Sequence, residues 1–256
     1  MTVRFEMQGP VAVITLDAAG TKNAITNDMR RELWEAFERC ALDEAVRCVV
    51  LTGAHGDFCS GMDVRGMGRG GVVGSMDRMH TLNRIARAIH HLKKPTVAAV
   101  PGVCVGVGWS YALACDLVLA SDQARFAAIF RNIGLAPDGG LVWHLRRLLG
   151  VQRAKEIVFS GRMIRAEEAL ALGLVLETMP QDDLMERALA QAQALAAGPT
   201  IALGLAKRQF DLAHNLAFDQ YLDAEATMQP IASRTVDHEE GLAAFRDRRK
   251  PEFRGE

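Results

Sequence analysis

The order of apolar and polar positions divides the chain into two stretches of different character. In the first, short strand-like runs alternate with helical spacings. Residues 3–7 and 11–16 flank Gly9 and Pro10 and predict a β-hairpin. Met29, Leu33, Phe37 and Ala41 recur at every fourth position and so share one helical face, with Asn27 as the expected N-cap. The run CVVLTG (Cys48–Gly53) is short, β-branched and apolar on both faces, as a buried parallel strand requires. A glycine-rich loop follows to about Gly74. Met76, Met79, Leu82, Ile85, Ile89 and Leu92 then mark one face of a long helix, which Pro95 stops. TVAAV (Thr96–Val100) is the next buried strand, residues 109–115 read as a helix, and residues 117–120 read as another strand. Parallel strands need crossover connections, so the pattern implies an α/β core.

From residue 181 onward only helical periodicity remains, in the sets Leu184/Ala188/Leu195, Leu203/Ala206/Phe210, Leu216/Tyr221 and Leu242/Phe245. Four helices without strands form either a small helical subdomain or an arm that packs on a partner subunit. The basic, proline-interrupted ending RDRRKPEFRGE is expected to be a loose tail. A chain of 256 residues suits one large domain, with or without a small appendage, and needs no disulfide or metal staple. The formal net charge of −1 gives no footprint for nucleic acid or an anionic membrane. Five cysteines, with no C-x-x-C pair, read as small buried hydrophobes in a reducing compartment. No secretory signal pattern is evident at the N-terminus. The longest apolar stretch, about residues 97–107, is broken by Pro101, Gly102 and Gly106, so no bilayer span is expected. A cytoplasmic location follows as the expectation.

Two glycine-rich turns are the first candidates for chemistry. DFCSGMDV, residues 57–64, follows the CVVLTG strand, and PGVCVGVGW, residues 101–109, joins TVAAV to the next helix. A strand that ends in glycines and opens a helix presents backbone N–H groups and the positive end of a helix dipole. Two such turns on neighbouring strands can aim two N–H groups at one carbonyl oxygen, the geometry that stabilises a developing oxyanion. Glycines that merely make tight turns would give the same composition. Nucleotide-binding fingerprints are a poorer match. Tyr111 stands where a dinucleotide motif wants its third glycine, and no phosphate-binding G-x-x-x-x-G-K-[ST] motif occurs. No His, Cys and carboxylate grouping has metal-ligand spacing, so neither a metal nor a permanently bound cofactor is expected.

The order and wording of five segments carry a more specific signal. KNAIT, VVLTGAHGDFCSGMDV, KPTVAAVPGVCVGVGWSYALACDLVLAS, RFAAIFRNIGLAPDGGLVWHLRRLLG and GRMIRAEEALALGLV, between residues 22 and 175, closely resemble the crotonase (enoyl-CoA hydratase/isomerase) family. The resemblance implies a crotonase-like (ClpP/crotonase) α/β spiral of β-β-α units over residues 1–195. It also implies a helical C-terminal oligomerisation region over residues 196–256, and assembly as a homotrimer or a hexamer built as a dimer of trimers. The substrate would be an acyl-CoA thioester, with coenzyme A part of the substrate. Its oxygen would be held by the backbone amides of Met62 and Val107, within the turns that contain Ser60, Gly61, Gly106 and Gly108. Asp63, Val64 and Arg65 resemble the segment that lines the coenzyme, and the loop from Lys22 to Ala24 resembles the one approaching it from the other side.

Two departures from the hydratase pattern bear on the reaction. The positions of the two glutamates that activate water in hydratases fall on Ser110 and Phe130. Neither side chain is an effective general base near neutrality. A carboxylate stands instead at Asp138, in GLAPDGG, where the resemblance is to isomerase members of the family. One base suffices for isomerisation, because it removes a proton beside the thioester, or at the vinylogous carbon, and returns it elsewhere. The expected activity is therefore isomerisation of an unsaturated acyl-CoA with Asp138 as acid/base. Hydration with Asp138 working alone, or acyl-CoA binding without catalysis, are the alternatives. Pro-Asp-Gly-Gly is also a turn and N-cap sequence, so Asp138 is equally a capping candidate. Met67, Met76, Met79, Phe130 and Trp143 are expected to line an apolar acyl site. His90 and His91 are expected to cap a helix end, and His55 to stand at the pocket mouth.

Overall fold

The computed structural model describes residues 2–66 and 71–256. In chain order the strands are β1 (Val3–Gln8), β2 (Val11–Leu16), β3 (Cys48–Gly53), β4 (Thr96–Val100), β5 (Val103–Val105), β6 (Leu117–Ser121), β7 (Arg125–Ala127), β8 (Ile164–Arg165) and β9 (Glu177–Met179). The helices are α1 (Asn27–Leu42), α2 (Gly71–His90), α3 (Val107–Ala114), α4 (Leu141–Ser160, broken at Gly150), α5 (Ala166–Ala171), α6 (Leu184–Ala196), α7 (Thr200–Ala213), α8 (Phe218–Ala232) and α9 (Val236–Asp247). The main sheet has the order β1-β2-β3-β4-β6-β9, with the β1/β2 hairpin antiparallel and every other pair parallel. A second sheet, β5-β7-β8, stands beside it.

Alternation along the strands explains why the main sheet is covered on both faces. Ala12, Ile14 and Leu16 of β2, Val49 and Leu51 of β3, and Ala98 and Val100 of β4 face the larger core, packed with α1, α2 and α3. The intervening Val11, Val13, Cys48, Val50, Val97, Ala99 and Leu119 face the other way. They are sealed by Leu184, Ala188, Ala192 and Ala196 of α6. A strand apolar at every position has to find two covers, and the i+4 stripe of α6 supplies the second. Strands β5, β7, β8 and β9 have two or three residues each. They are too short for period-2 patterning and were not expected.

Three expectations change. α1 is capped by Thr26, whose Oγ1 accepts from the Met29 N–H at 3.2 Å, while Asn27 is the first helical residue. α3 begins at Val107, two residues before the expected start. The C-terminal tail is not loose. The buried Asp237 carboxylate accepts from the N–H groups of Arg254 (2.6 Å) and Gly255 (2.9 Å), and the Asp237 N–H donates to Glu256 O. Arg47 donates to the carbonyls of Phe253 (2.8 Å) and Gly198 (2.6 Å) and to Thr200 Oγ1. The basic composition of the tail hid this because its anchors lie elsewhere in the chain.

Asp237→Ala would leave two part-buried N–H groups without their acceptor, at a cost of about 1 kcal/mol or more. Hydrogen exchange at Arg254 and Gly255 should then accelerate by one to two orders of magnitude. Unchanged protection would show that Arg47 alone holds the tail.

Candidate active site

The two glycine turns meet because each is zipped to its neighbours by backbone hydrogen bonds. After β3, the N–H groups of Phe58 and Cys59 donate to Val103 O (3.0 and 2.9 Å), and the Val105 N–H returns a bond to Cys59 O (3.0 Å). On the other side, the Ile25 N–H donates to Gly61 O (2.8 Å) and the Asp63 N–H to Ile25 O (3.1 Å). This bridge uses the carbonyl before Met62 and the N–H after it. The N–H of Met62 therefore has no acceptor among the described residues. Val107 is the first residue of α3, after Gly106, whose N–H is taken by Ala127 O. A first-turn N–H has no partner inside its own helix, and no side chain caps α3, so the Val107 N–H is also a spare donor at the positive helix end.

The turns touch through glycine. Gly61 has φ +94° and Gly106 has φ +56°, both in the left-handed region. A Cβ on Gly61 would stand 3.4 Å from Val105 O, and one on Gly106 would stand 3.5 Å from the Gly61 Cα. Those are ordinary contact distances, so it is the left-handed φ, rather than a lack of space, that calls for glycine at both positions. Gly108, two residues on, is required by space: a Cβ there would sit 2.5 Å from the Cys59 Cβ.

Asp138 reaches this place from the chain before α4. A Cβ on Gly139 would lie 2.8 Å from the Ser110 Cβ and 3.1 Å from Val107 Cγ2, so the Asp138–Gly139 turn rests on the first turn of α3. The Asp138 carbonyl accepts from Ser110 Oγ (2.9 Å) and from the Leu141 N–H (3.2 Å). Its carboxylate caps nothing: the N-cap of α4 is Gly140, with no side-chain cap, and Asp138 Oδ1 is buried without a hydrogen-bond partner. The capping alternative is thereby removed. Burial disfavours the charged form and pushes the Asp138 carboxyl up to about 6.

Ser110 and Phe130 occupy the places read as those of the hydratase glutamates, and both are buried. The Ser110 hydroxyl is committed to the carbonyls of Asp138 and Gly106. Phe130 Cζ would lie 4.0 Å from a Cβ on Gly106, so its ring backs the second turn with hydrocarbon.

The residues expected along the coenzyme are more mixed. Ala24 is buried, and Ser60 ties the two loops through bonds from its N–H to Lys22 O (2.9 Å) and from Oγ to Thr21 O (2.7 Å). Lys22 lies 3.4 Å from Asp57, and Arg65 makes a bidentate pair with Asp63 that holds this carboxyl below its ordinary range. Val64 is exposed. Asn23, which spacing did not single out, is the buried clamp of this loop. Its side chain accepts from the Ala18 N–H and donates to the carbonyls of Ala54 and Asp57. Its positive φ of 58° places it among the residues that tolerate that conformation.

Met67 lies outside the described residues. Met79 packs against the core, while Met76 and Trp143 are largely on the surface. His55 pairs with Asp17 at 2.7 Å rather than standing free at a pocket mouth. His90 does not cap its helix; its Nε2 meets Asp211 of α7 at 2.9 Å, and His91 Nδ1 lies 4.0 Å from the same carboxylate. Sequence distance concealed this grouping, the one His and carboxylate cluster found among the described residues.

An α/β fold whose sheet is covered on both faces, with two spare N–H groups in touching glycine turns, suits an enzyme that polarises a carbonyl. The model of the enoyl-CoA hydratase/isomerase family matches residues 6–256. The chain is 34% identical over 251 residues to 1,2-epoxyphenylacetyl-CoA isomerase from Escherichia coli, covering 96% of this chain and 95% of the relative. It is 30% identical over 251 residues to the short-chain-enoyl-CoA hydratase from Clostridium acetobutylicum, covering 98% and 96%. A crystal structure of an enoyl-CoA hydratase from Bacillus anthracis superposes with a TM-score of 0.95 at 28% identity, covering both chains fully. The chain belongs to the enoyl-CoA hydratase/isomerase family, whose members act on acyl-CoA thioesters.

Gly106→Ala should force a strained φ just before the Val107 N–H and so shift that donor, lowering turnover of any acyl-CoA substrate by more than tenfold; steady-state kinetics on a folded variant would show it. Asp138 titrates above its ordinary value in the folded state, so its ionisation opposes folding. That contribution to stability is complete below about pH 4 and is lost as pH rises through about 6. At pH 7 Asp138→Asn should raise stability by about 1–3 kcal/mol, with no gain at pH 4, as read from Tm at the two values.

Proposed function

We propose that this enzyme isomerises an unsaturated acyl-CoA, with Asp138 as the single acid/base and the Met62 and Val107 N–H groups holding the thioester oxygen. The observation that carries the reading is the Asp138 carboxylate. Its Oδ1 is buried without a hydrogen-bond partner, and its turn packs on the one that presents the Val107 N–H. A base near pH 6 is ionised at neutrality yet basic enough to accept a proton from a carbon acidified by the polarised thioester. The electron pair left on the carbon moves onto the thioester oxygen, where two N–H donors meet the developing charge. The same carboxyl then returns the proton at the conjugated carbon, and no water enters the product. Phe130 beside Gly106 favours this over hydration, since it keeps hydrocarbon where a second water-holding carboxylate would be needed. Assembly as a homotrimer or hexamer is part of the same reading. Phe210, Phe218 and Phe245 on α7 to α9 are exposed in the single chain, a surface that suits burial against other copies.

Incubating the enzyme in D2O with unsaturated acyl-CoAs and following mass and double-bond position tests the assignment. Deuterium uptake or bond migration should fall by 10²–10⁴-fold in Asp138→Asn. In the wild type, kcat/KM should rise with pH through about 6 and then level, because the ionised form is the active base. Hydration that survives the substitution would point to hydratase chemistry by another group. Binding without exchange or hydration would point to a non-catalytic acyl-CoA binder.

A further inference from the structure

Arg30, on α1, is only 5% exposed, yet no carboxylate stands within ion-pair distance of it among the described residues. The residues outside that description, Met1 and 67–70, include no acid. One guanidinium nitrogen donates to Asn27 Oδ1, another reaches the Arg78 carbonyl at 3.4 Å, and Nε is buried with no partner. Arg147 also keeps a buried Nε without a partner, but it is less buried and stacks on Trp143; three further arginines are treated differently. Arg162 sits between Glu156 and Glu168, Arg249 holds Glu240, and Arg47, which has no acid, is saturated by two carbonyls and a hydroxyl. A buried guanidinium left with spare donors is costly to maintain, and an incoming oxyanion would remove the cost.

The place of Arg30 says which oxyanion. With Ile25, Met62, Asp63 and Arg78 it lines a groove between the start of α1 and α2, and Met62 is the residue whose N–H is spare in the first turn. Three acids line that groove: Asp63 is taken by Arg65 and Asp28 by Arg31, while Asp77, on α2, lies beyond ion-pair distance of Arg30. The buried Tyr111 phenol, which donates to Leu82 O, feels the charges of both Arg30 and Asp138. Arg30 and Asp138 therefore both stand near Tyr111, and Arg30 shares its groove with the first turn at Met62.

We propose that Arg30 is the receptor for an oxyanion on the substrate, namely a carboxylate on the acyl group, so that this enzyme takes dicarboxylic acyl-CoA thioesters. A coenzyme phosphate would offer similar chemistry, and the two sources separate by experiment. The proposal rests on the acyl-CoA reading of the site but not on the role of Asp138, because binding of unreactive saturated esters tests it. Calorimetric titration should compare adipyl-CoA with hexanoyl-CoA, suberyl-CoA with octanoyl-CoA, and free coenzyme A. The wild type should bind at least one carboxylated ester tenfold to a hundredfold more tightly than its methyl-terminated match, the range for a hydrogen bond to a charged group. Arg30→Met should erase that difference while leaving hexanoyl-CoA and free coenzyme A unchanged, which also shows that the variant is folded. Arg30→Lys, which keeps the charge without the fork, should retain part of it. Equal weakening of all ligands by Arg30→Met would assign the oxyanion to a coenzyme phosphate and overturn the acyl carboxylate. Wild-type esters that bind without preference would overturn the subsite alone. Failure of every CoA ester to bind would overturn the acyl-CoA reading and the subsite together.

Discussion

The contact between Gly61 and Gly106 is the constraint on which the rest of the site depends. Two strand-to-loop turns can present their N–H groups to one atom only if their backbones come within van der Waals distance. The positive φ at both glycines is strained for any residue with a Cβ, and a Cβ there would already be in contact with the facing turn at 3.4–3.5 Å. Much of the surrounding architecture serves that approach. Backbone hydrogen bonding of Cys59 alongside Cys104 fixes one turn to β5, that of Ile25 alongside Met62 fixes its other flank, and Gly108 brings α3 down on Cys59. The double cover of the main sheet matters for the same reason, because it holds β3 and β4, from which the turns emerge, in one register.

Against that rigid frame stand two ionisable groups that the fold leaves uncompensated. Asp138 lacks the cap contact its sequence suggests, and Arg30 lacks an acid, although both are largely removed from water. Elsewhere the chain pairs its charges readily, as Arg162, Arg187 and Arg249 do. Residues that carry such costs are expected where a ligand, rather than the protein, completes the interaction. The two flank the buried Tyr111, so their shared neighbourhood follows from α3 packing against both the turn before α4 and the side of the core that holds α1 and α2.

The C-terminal region follows a different logic. α6 belongs to the sheet as its second cover, whereas α7 to α9 keep several large apolar side chains outside, Phe245 most of all at 85% exposed. The chain end is nevertheless pinned by Asp237 and Arg47, so these helices are held in place rather than trailing.

The main-sheet strands up to β6, the long helices and the two glycine turns were legible in the sequence, because periodicity and glycine placement act locally. The order of five segments carried the family resemblance, and with it Met62, Val107 and Asp138. The short strands of the second sheet were not legible, since two or three residues cannot show alternation. Nor was the docked tail, whose partners lie in α9 and at Arg47. Whether Asp138 caps a helix, whether Asn23 clamps a loop, whether His90 pairs with Asp211, and whether Arg30 has a counter-ion all depend on which distant atoms come within about 3 Å. Sequence set which groups are available to ionise and to donate. Only tertiary packing decided which of them would be satisfied and which would be left buried and unpaired, because desolvation and hydrogen bonding are properties of the surroundings rather than of the residue.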